Sequence, residues 1–348
     1  MASTPKNVIV MAKALDDLIT LDPAEAFEFS STEILANVYD RLFIANPENP
    51  SEPKKGLVED WWRSDDGLEY NFSIREDAVF DGGRALTSRD VVFSLRRAVV
   101  LNKTPAFILN QLGLHRGNVE EKIKVLDERS LFLGVDRPYS SSVVLNILSA
   151  IVTSVVDESS LSEHATDGDW GANWLRSNTA GSGEFRVSRW GVGEYLVLDR
   201  KDASRSDITR IIIRDVREPA TQRLMLGRGD IDIARNLTPD HIVALATKTD
   251  AVTWSTDQAR IFYLALNQRN PLLADPSIRR ALRMAIDYQG IASHLLPGRA
   301  RVHQAFLPLG FMGSLTETPF SLDLEGARGL IDRVDFSEDL TFTCLLYT

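Results

Sequence analysis

Cysteine is almost absent from this 348-residue chain, and the single Cys344 permits neither an internal disulfide nor a thiolate metal cluster. Long apolar runs are absent as well. A membrane helix needs roughly 18–20 consecutive apolar residues; the longest candidate, Ser141 to Val156, is shorter and is broken by Asn146, Ser149, Thr153 and Ser154. No block of lysine or arginine occurs, and 39 basic against 49 acidic residues leave a net charge of −10. Nucleic acid is therefore not expected as the main ligand, because phosphate binding needs a concentrated positive surface. The five histidines, at 115, 164, 241, 294 and 303, never pair at metal-ligand spacing. Neither a metal site nor a catalytic histidine is expected, and no cofactor. No Gly-x-Ser-x-Gly elbow gives a serine a nucleophile's setting. A secretory leader is not visible: Met1 to Lys6 is polar and Val8 to Met11 is too short for its apolar core. An exported protein with this sequence is expected to be a mature or re-started form.

What is present points to a globular α/β protein. Apolar residues make up 44% of the chain and charged residues 25%, enough for a real core and for two or three domains. Asn7 to Met11 reads as a buried strand. Ser30-Ser31-Thr32-Glu33 fits a capping box opening a helix with Ile34, Leu35, Val38 and Leu42 on one side. Leu68, Tyr70, Phe72 and Ile74 alternate with polar residues as in a half-buried strand. Thr87-Ser88-Arg89-Asp90 starts another helix, and a hairpin is expected around Asp127-Glu128-Arg129. A helical stretch follows near Val143 to Val156. Strands are read at Tyr195 to Leu198, Ile208 to Val216, Ile231 to Ala234 and Ile261 to Leu266. Helices are read after Pro219, Pro239 and Pro276, and the interleaving of the two is that of a mixed α/β fold.

Chemical motifs are sparse. Gly181-Ser182-Gly183 lacks the third glycine of a phosphate loop and reads as a tight turn before a strand at Phe185. Asp230 and Asp232 share one face of a strand, but no third ligand is evident, so they read as solvated edge carboxylates. Trp61, Trp62, Trp170, Trp174 and Trp190 read as core, although a cleft binder needs some such aromatics as apolar walls; Trp190 reads as core and not cleft.

Several blocks, in order, resemble the bacterial extracellular solute-binding proteins of family 5, which serve dipeptides, oligopeptides and nickel. Leu21-Asp22-Pro23-Ala24 with Asn37-Val38-Tyr39-Asp40-Arg41-Leu42 resembles the family's opening signature. Trp61-Trp62 through Ser64-Asp65-Asp66-Gly67-Leu68 is similar to its first hairpin. Phe80-Asp81-Gly82 with Asp90-Val91-Val92-Phe93-Ser94-Leu95 resembles its most diagnostic stretch. Ala180-Gly181-Ser182-Gly183, Gly229-Asp230-Ile231-Asp232-Ile233-Ala234 and Ala285-Ile286-Asp287 continue the likeness to about Leu330. The sequence departs from the family pattern at Glu184, where proline is usual, and at Arg200 to Asp207, where a longer loop carries a Tyr-Trp pair. It also ends at Thr348, where family members continue, with Thr341 to Thr348 starting like a strand.

The resemblance implies a two-lobed periplasmic-binding-protein-like α/β fold with an extra N-terminal subdomain and an incomplete second lobe. It assigns residues 1–45 and 166–262 to the first lobe, 46–165 to the extra subdomain and 263–348 to the start of the second lobe. It implies a periplasmic, monomeric, non-enzymatic protein that captures peptides or related amino-acid conjugates and delivers them to ABC permease subunits. Phe27, Glu28, Phe29 and Ser30 are expected to line the cleft from the first lobe, with Glu28 receiving an ammonium group. Tyr263 and Asn267 are expected near the cleft from a strand crossing between lobes. A cleft hydrolase, or a sensing or chaperone module on the same fold, are the alternatives.

Overall fold

The computed structural model describes residues 5–235, 237–246, 251–256, 258, 260–311 and 313–334. Two compact units, Met1–Trp254 and Ser255–Thr348, divide the chain. Cys344 and the strand expected from Thr341 lie outside the described residues.

The first unit carries eleven described strands in three sheets: β1 (Val8–Lys13), β2 (Phe43–Ile44), β3 (Lys54–Lys55), β4 (Val58–Arg63), β5 (Glu69–Ile74), β6 (Ile123–Val125), β7 (Ser130–Gly134), β8 (Phe185–Gly191), β9 (Tyr195–Arg200), β10 (Arg210–Asp215) and β11 (Ile233–Ala234). The largest sheet has the order β11-β1-β10-β9-β8. The apolar run of β1 is parallel to the central strand β10, from Val8↔Arg210 to Lys13↔Asp215, and parallel to β11 on its other side. β9 and β8 complete it as antiparallel neighbours. Helix α1 (Phe29–Val38) buries Ile34, Leu35 and Val38 in one core with Leu196, Leu198 and Ile213 of the sheet.

The second sheet, β4-β5-β7-β6, is wholly antiparallel. The alternation read from the sequence is present: Tyr70, Phe72 and Ile74 are buried and the residues between them are not. So is the hairpin at Asp127 to Arg129, which joins β6 to β7. Helix α2 (Ser88–Leu101) starts at Thr87, whose N–H donates to the Asp90 carboxylate at 2.9 Å, and buries Val91, Val92, Leu95, Ala98 and Val99 against this sheet. Both sheets therefore have their own core.

A buried ion pair joins the two. Asp22 and Arg97, each 1% exposed, meet through two parallel bonds of 2.8 and 2.6 Å. Arg97 Nε donates to the Trp170 carbonyl at 2.7 Å, and Asp22 also accepts from the Ala24 N–H at 2.9 Å. Asp22 belongs to the loop after β1 and Arg97 to α2, so the pair ties the segment leading into α1 to the core of the second sheet.

The structure corrects three sequence expectations. Helix α1 starts at Phe29, with Glu28 at the N-cap, so no capping box forms at Ser30, and it ends at Val38, leaving Leu42 outside it. Glu33, the carboxylate that would have closed it, is held by Lys13 and Arg235. The stretch 143–156 is not one helix: Ser141–Ile147 ends, and a separate turn spans Ile151–Thr153. Hydroxyls intervene there, with Ser149 Oγ donating to the Asn146 carbonyl and Thr153 Oγ1 to those of Leu148 and Ala150, in competition with the helical ladder. Ile261 to Leu266 form no strand, because a strand exists only with a paired neighbour and the second unit contributes none among its described residues.

Among the described residues of that second unit the regular elements are helical. The helix read after Pro276 is present as Pro276–Met284, and Asp275 caps it, accepting from Ser277 N–H at 2.6 Å. Ile278 and Ala281 of this helix, and Ala327 of the packed helix Leu324–Ile331, are buried.

Replacing Asp22 by Leu leaves a buried guanidinium without its counter-charge and is expected to cost about 3–5 kcal/mol in urea unfolding. The double variant Asp22→Leu/Arg97→Met should recover most of that loss. A single-variant cost under about 1 kcal/mol would contradict this role of the pair.

Candidate functional site

In open α/β sheets, ligands are received beyond the carboxyl ends of the parallel strands. Here those ends are Lys13 on β1, Asp215 on β10 and Ala234 on β11. Each is tied to the segment between β1 and α1 or to α1 itself. The Asp215 carboxylate accepts from Leu15 N–H at 3.0 Å, and the Asp17 carboxylate accepts from Ser30 N–H at the start of α1 at 3.0 Å. Ser30 Oγ donates to the Ala14 carbonyl at 3.4 Å.

A shared carboxylate closes the arrangement. Lys13 Nζ lies 2.6 Å from one oxygen of Glu33, and the Arg235 guanidinium pairs with the other. Burial alone would raise the Glu33 carboxyl, but the Lys13 hydrogen bond and the charges of Lys13 and Arg235 outweigh it and hold the group below its usual range. Arg235 is fixed in turn, its N–H donating to the side chain of fully buried Gln222 at 3.2 Å.

On this frame sits an exposed aromatic ridge. Phe27 and Phe29, both at least half-exposed, flank Glu28. Phe27 meets Phe107 edge to face, with ring centroids 5.8 Å apart and planes at 78°. Phe107 comes from the stretch between α2 and β6 and is itself nearly half-exposed, so both halves of the first unit contribute to one apolar surface. The Glu28 carboxylate accepts from Phe27 N–H at 3.1 Å and makes no ion pair among the described residues. Chemically, the surface offers aromatic edges and faces to an apolar group and a carboxylate to a cation.

Of the expected site residues, Phe27, Glu28 and Phe29 lie together at this surface, while Ser30 is buried and anchors the helix start. Tyr263, 73% exposed, and Asn267, whose side chain accepts from Arg269 N–H at 3.1 Å, belong to the second unit. The sequence reading passed over Phe107, Lys13 and Arg235. Lys13 alone had a signal, a cation standing directly after a buried apolar strand.

Other motifs have structural duties. Gly181 and Gly183 pass so close to the Val38 carbonyl at the end of α1 that a Cβ on either would collide with backbone, so the turn is built for packing and not for phosphate. The Asp232 carboxylate accepts from Val10 N–H at 2.7 Å, stitching the approach to β11 onto β1. Among the described residues no group of three or more His, Cys, Asp or Glu could hold a metal ion. No helix there is long and apolar enough to cross a membrane.

Comparison with known proteins gives consistent results. The model of bacterial extracellular solute-binding proteins, family 5 Middle, matches residues 52–347. The probable D,D-dipeptide-binding periplasmic protein DdpA of Escherichia coli K12 is 29% identical over 340 residues, covering 96% of this chain and 63% of that protein. The glutathione-binding protein GsiB of Salmonella typhi is 22% identical over 346 residues, covering 98% of this chain and 64% of that protein. The ABC transporter-associated periplasmic binding protein DppA of Helicobacter pylori, solved with the peptide STSA, superposes with a TM-score of 0.77 at 20% identity. That match covers 94% of this chain and 65% of DppA. The chain thus has the periplasmic-binding-protein fold and spans less than two thirds of the length of these relatives.

The depressed Glu33 carboxyl fixes the sign of a pH effect. A group whose folded pKa lies below its unfolded value stabilises the fold above the unfolded pKa, and that contribution is lost as pH falls through the folded one. Glu33→Gln should therefore be less stable than wild type by about 1 kcal/mol near neutral pH, a modest figure because Glu33 and Arg235 are partly open to solvent. The gap should close in acid. Urea unfolding at about pH 7 and about pH 3 checks this, and a gap that does not change contradicts it.

Proposed function

The chain belongs to the bacterial extracellular solute-binding proteins of family 5, and on that premise we propose that it is the solute-binding component of an ABC importer. In this reading it captures peptides or related amino-acid conjugates outside the cytoplasm, hands them to membrane permease subunits and catalyses no reaction. The observation that carries the reading is the ridge of Phe27, Phe29 and Phe107 around Glu28, set on the carboxyl ends of three parallel strands.

The chemistry of such a ligand suits this surface. An amino-acid conjugate presents apolar side chains and, at its amino end, an ammonium group. Phe27, Phe29 and Phe107 take the first, and Glu28 takes the second as a charge-assisted hydrogen bond. Ser30 keeps the segment in place, and Tyr263 and Asn267 serve the second lobe's side. Residues 1–45 and 166–262 act as the first lobe, 46–165 as its extra subdomain and 263–348 as the start of the second lobe. Contacts to both lobes would favour a closed form, which is the form a permease can distinguish from the empty one. The names of the relatives agree with this class of ligand: D,D-dipeptide, glutathione and a bound peptide.

The test is a thermal-shift and calorimetric panel of di- and tripeptides, glutathione and amino-acid conjugates. At least one compound should raise Tm in proportion to its concentration over Kd. Glu28→Gln should weaken that ligand about 10-fold, in line with loss of one charged hydrogen bond. Its N-acetylated analogue should bind wild type and variant alike. No shift with any compound would count against solute capture.

A further inference from the structure

A buried charge without an ion pair among the described residues lies away from the aromatic ridge. Arg41 is only 8% exposed, yet its guanidinium makes no hydrogen bond and no ion pair among the described residues. Nε is sealed from solvent with no acceptor; Nη1 and Nη2 are not among the sealed atoms and keep contact with solvent. A guanidinium does not shed its proton in proteins, so the charge stays. A buried charge without a partner is among the most costly features a fold can carry.

The adjacent Asp40 carboxylate favours the charge on Arg41, but the two form no ion pair among the described residues. That carboxylate also accepts from the Ser182 hydroxyl at 2.9 Å. A second basic group faces the same carboxylate: Lys201 donates to the Gly181 carbonyl at 2.5 Å and makes no ion pair among the described residues. Lys201 also faces Asp81, which pairs with Arg186 at 3.2 Å, so Arg41, Lys201 and Arg186 share the two carboxylates of Asp40 and Asp81. The place is fixed by backbone, since the Arg41 carbonyl accepts from Leu57 N–H at 2.9 Å and the Asp40 carbonyl from Val155 N–H at 2.9 Å. Gly56 is required there, because a Cβ would strike the Arg41 carbonyl. Here the end of α1, the β2–β3 pair and the segment after Ile151–Thr153 converge, at the seam between the two sheets.

We propose that Arg41 is the anchor of a small-oxyanion site at this seam, taking phosphate, sulfate or a comparable free anion on its terminal nitrogens. A guanidinium presents a planar fork that matches two oxygens of such an anion. With so little of the side chain open, a small solute reaches it more readily than a residue carried on another protein's backbone. The site is separate from the proposed solute surface, and its function would be to secure the junction between the sheets.

Thermal melts of the 348-residue chain test this, with sodium phosphate set against sodium chloride at matched ionic strength, in wild type and Arg41→Met. In chloride the variant should be as stable as wild type or more so, because Met fills the space without the charge. Phosphate should raise the wild-type Tm saturably, by about 2 °C or more, and should not raise that of the variant beyond its response to chloride. Parallel responses in both proteins would overturn the proposal, as would a large anion-independent loss of Tm in Arg41→Met. Should that variant not fold, calorimetric titration of wild type with inorganic phosphate decides: saturable one-to-one heat supports the site, and its absence overturns it.

Discussion

Burying a full positive charge beside a full negative one fixes direction as well as distance. Asp22 and Arg97 meet through two parallel bonds, so the guanidinium plane and the carboxylate plane must be nearly shared. The Trp170 carbonyl adds a third fixed direction through Nε. Helix α2 can then neither rotate about its axis nor slide along the loop after β1 without leaving charge unpaired in the core. Hydrophobic packing holds each sheet together by itself; this constraint sets one against the other.

The aromatic surface inherits that precision. Phe27 lies five residues after Asp22, and Phe107 lies just beyond the end of α2, which carries Arg97. Their edge-to-face contact therefore joins two short extensions from the ends of one ion pair. The Lys13–Glu33–Arg235 triad does a similar task for α1, holding its outward face over the strand ends with a carboxylate shared between two cations. Rigid placement of exposed aromatics lowers the entropy a ligand must surrender when it binds.

Local patterns were legible in the sequence, and long-range pairings were not. The alternation of Tyr70, Phe72 and Ile74, the Thr87 helix start and the Asp275 cap each depend on neighbours within a few residues, and each is present. Asp22-Pro23 is legible as part of the family-like opening block and not as half of an ion pair, because its partner stands 75 residues away. The capping box at Ser30 failed for the same reason: local chemistry favoured it, while Lys13 and Arg235 claimed its carboxylate from strands distant in the chain. The strand read at Ile261 to Leu266 has the right composition, but strand formation is settled by a partner edge, which composition does not supply. Phe27, Glu28 and Phe29 were reached through family likeness, and Phe107 through neither likeness nor pattern.

Trp170 has one further consequence. It sits in the left-handed region at φ 57°, unusual for so large a residue, and its contribution to the Asp22–Arg97 junction is a carbonyl oxygen. The arginine thus reads a backbone conformation and not an indole. Over evolutionary drift this position should be open to glycine or asparagine, which enter that conformation more cheaply. The indole's packing on Phe93 would be surrendered while the junction stays intact. A tryptophan that looks indispensable by size would then be among the more replaceable residues around this buried arginine.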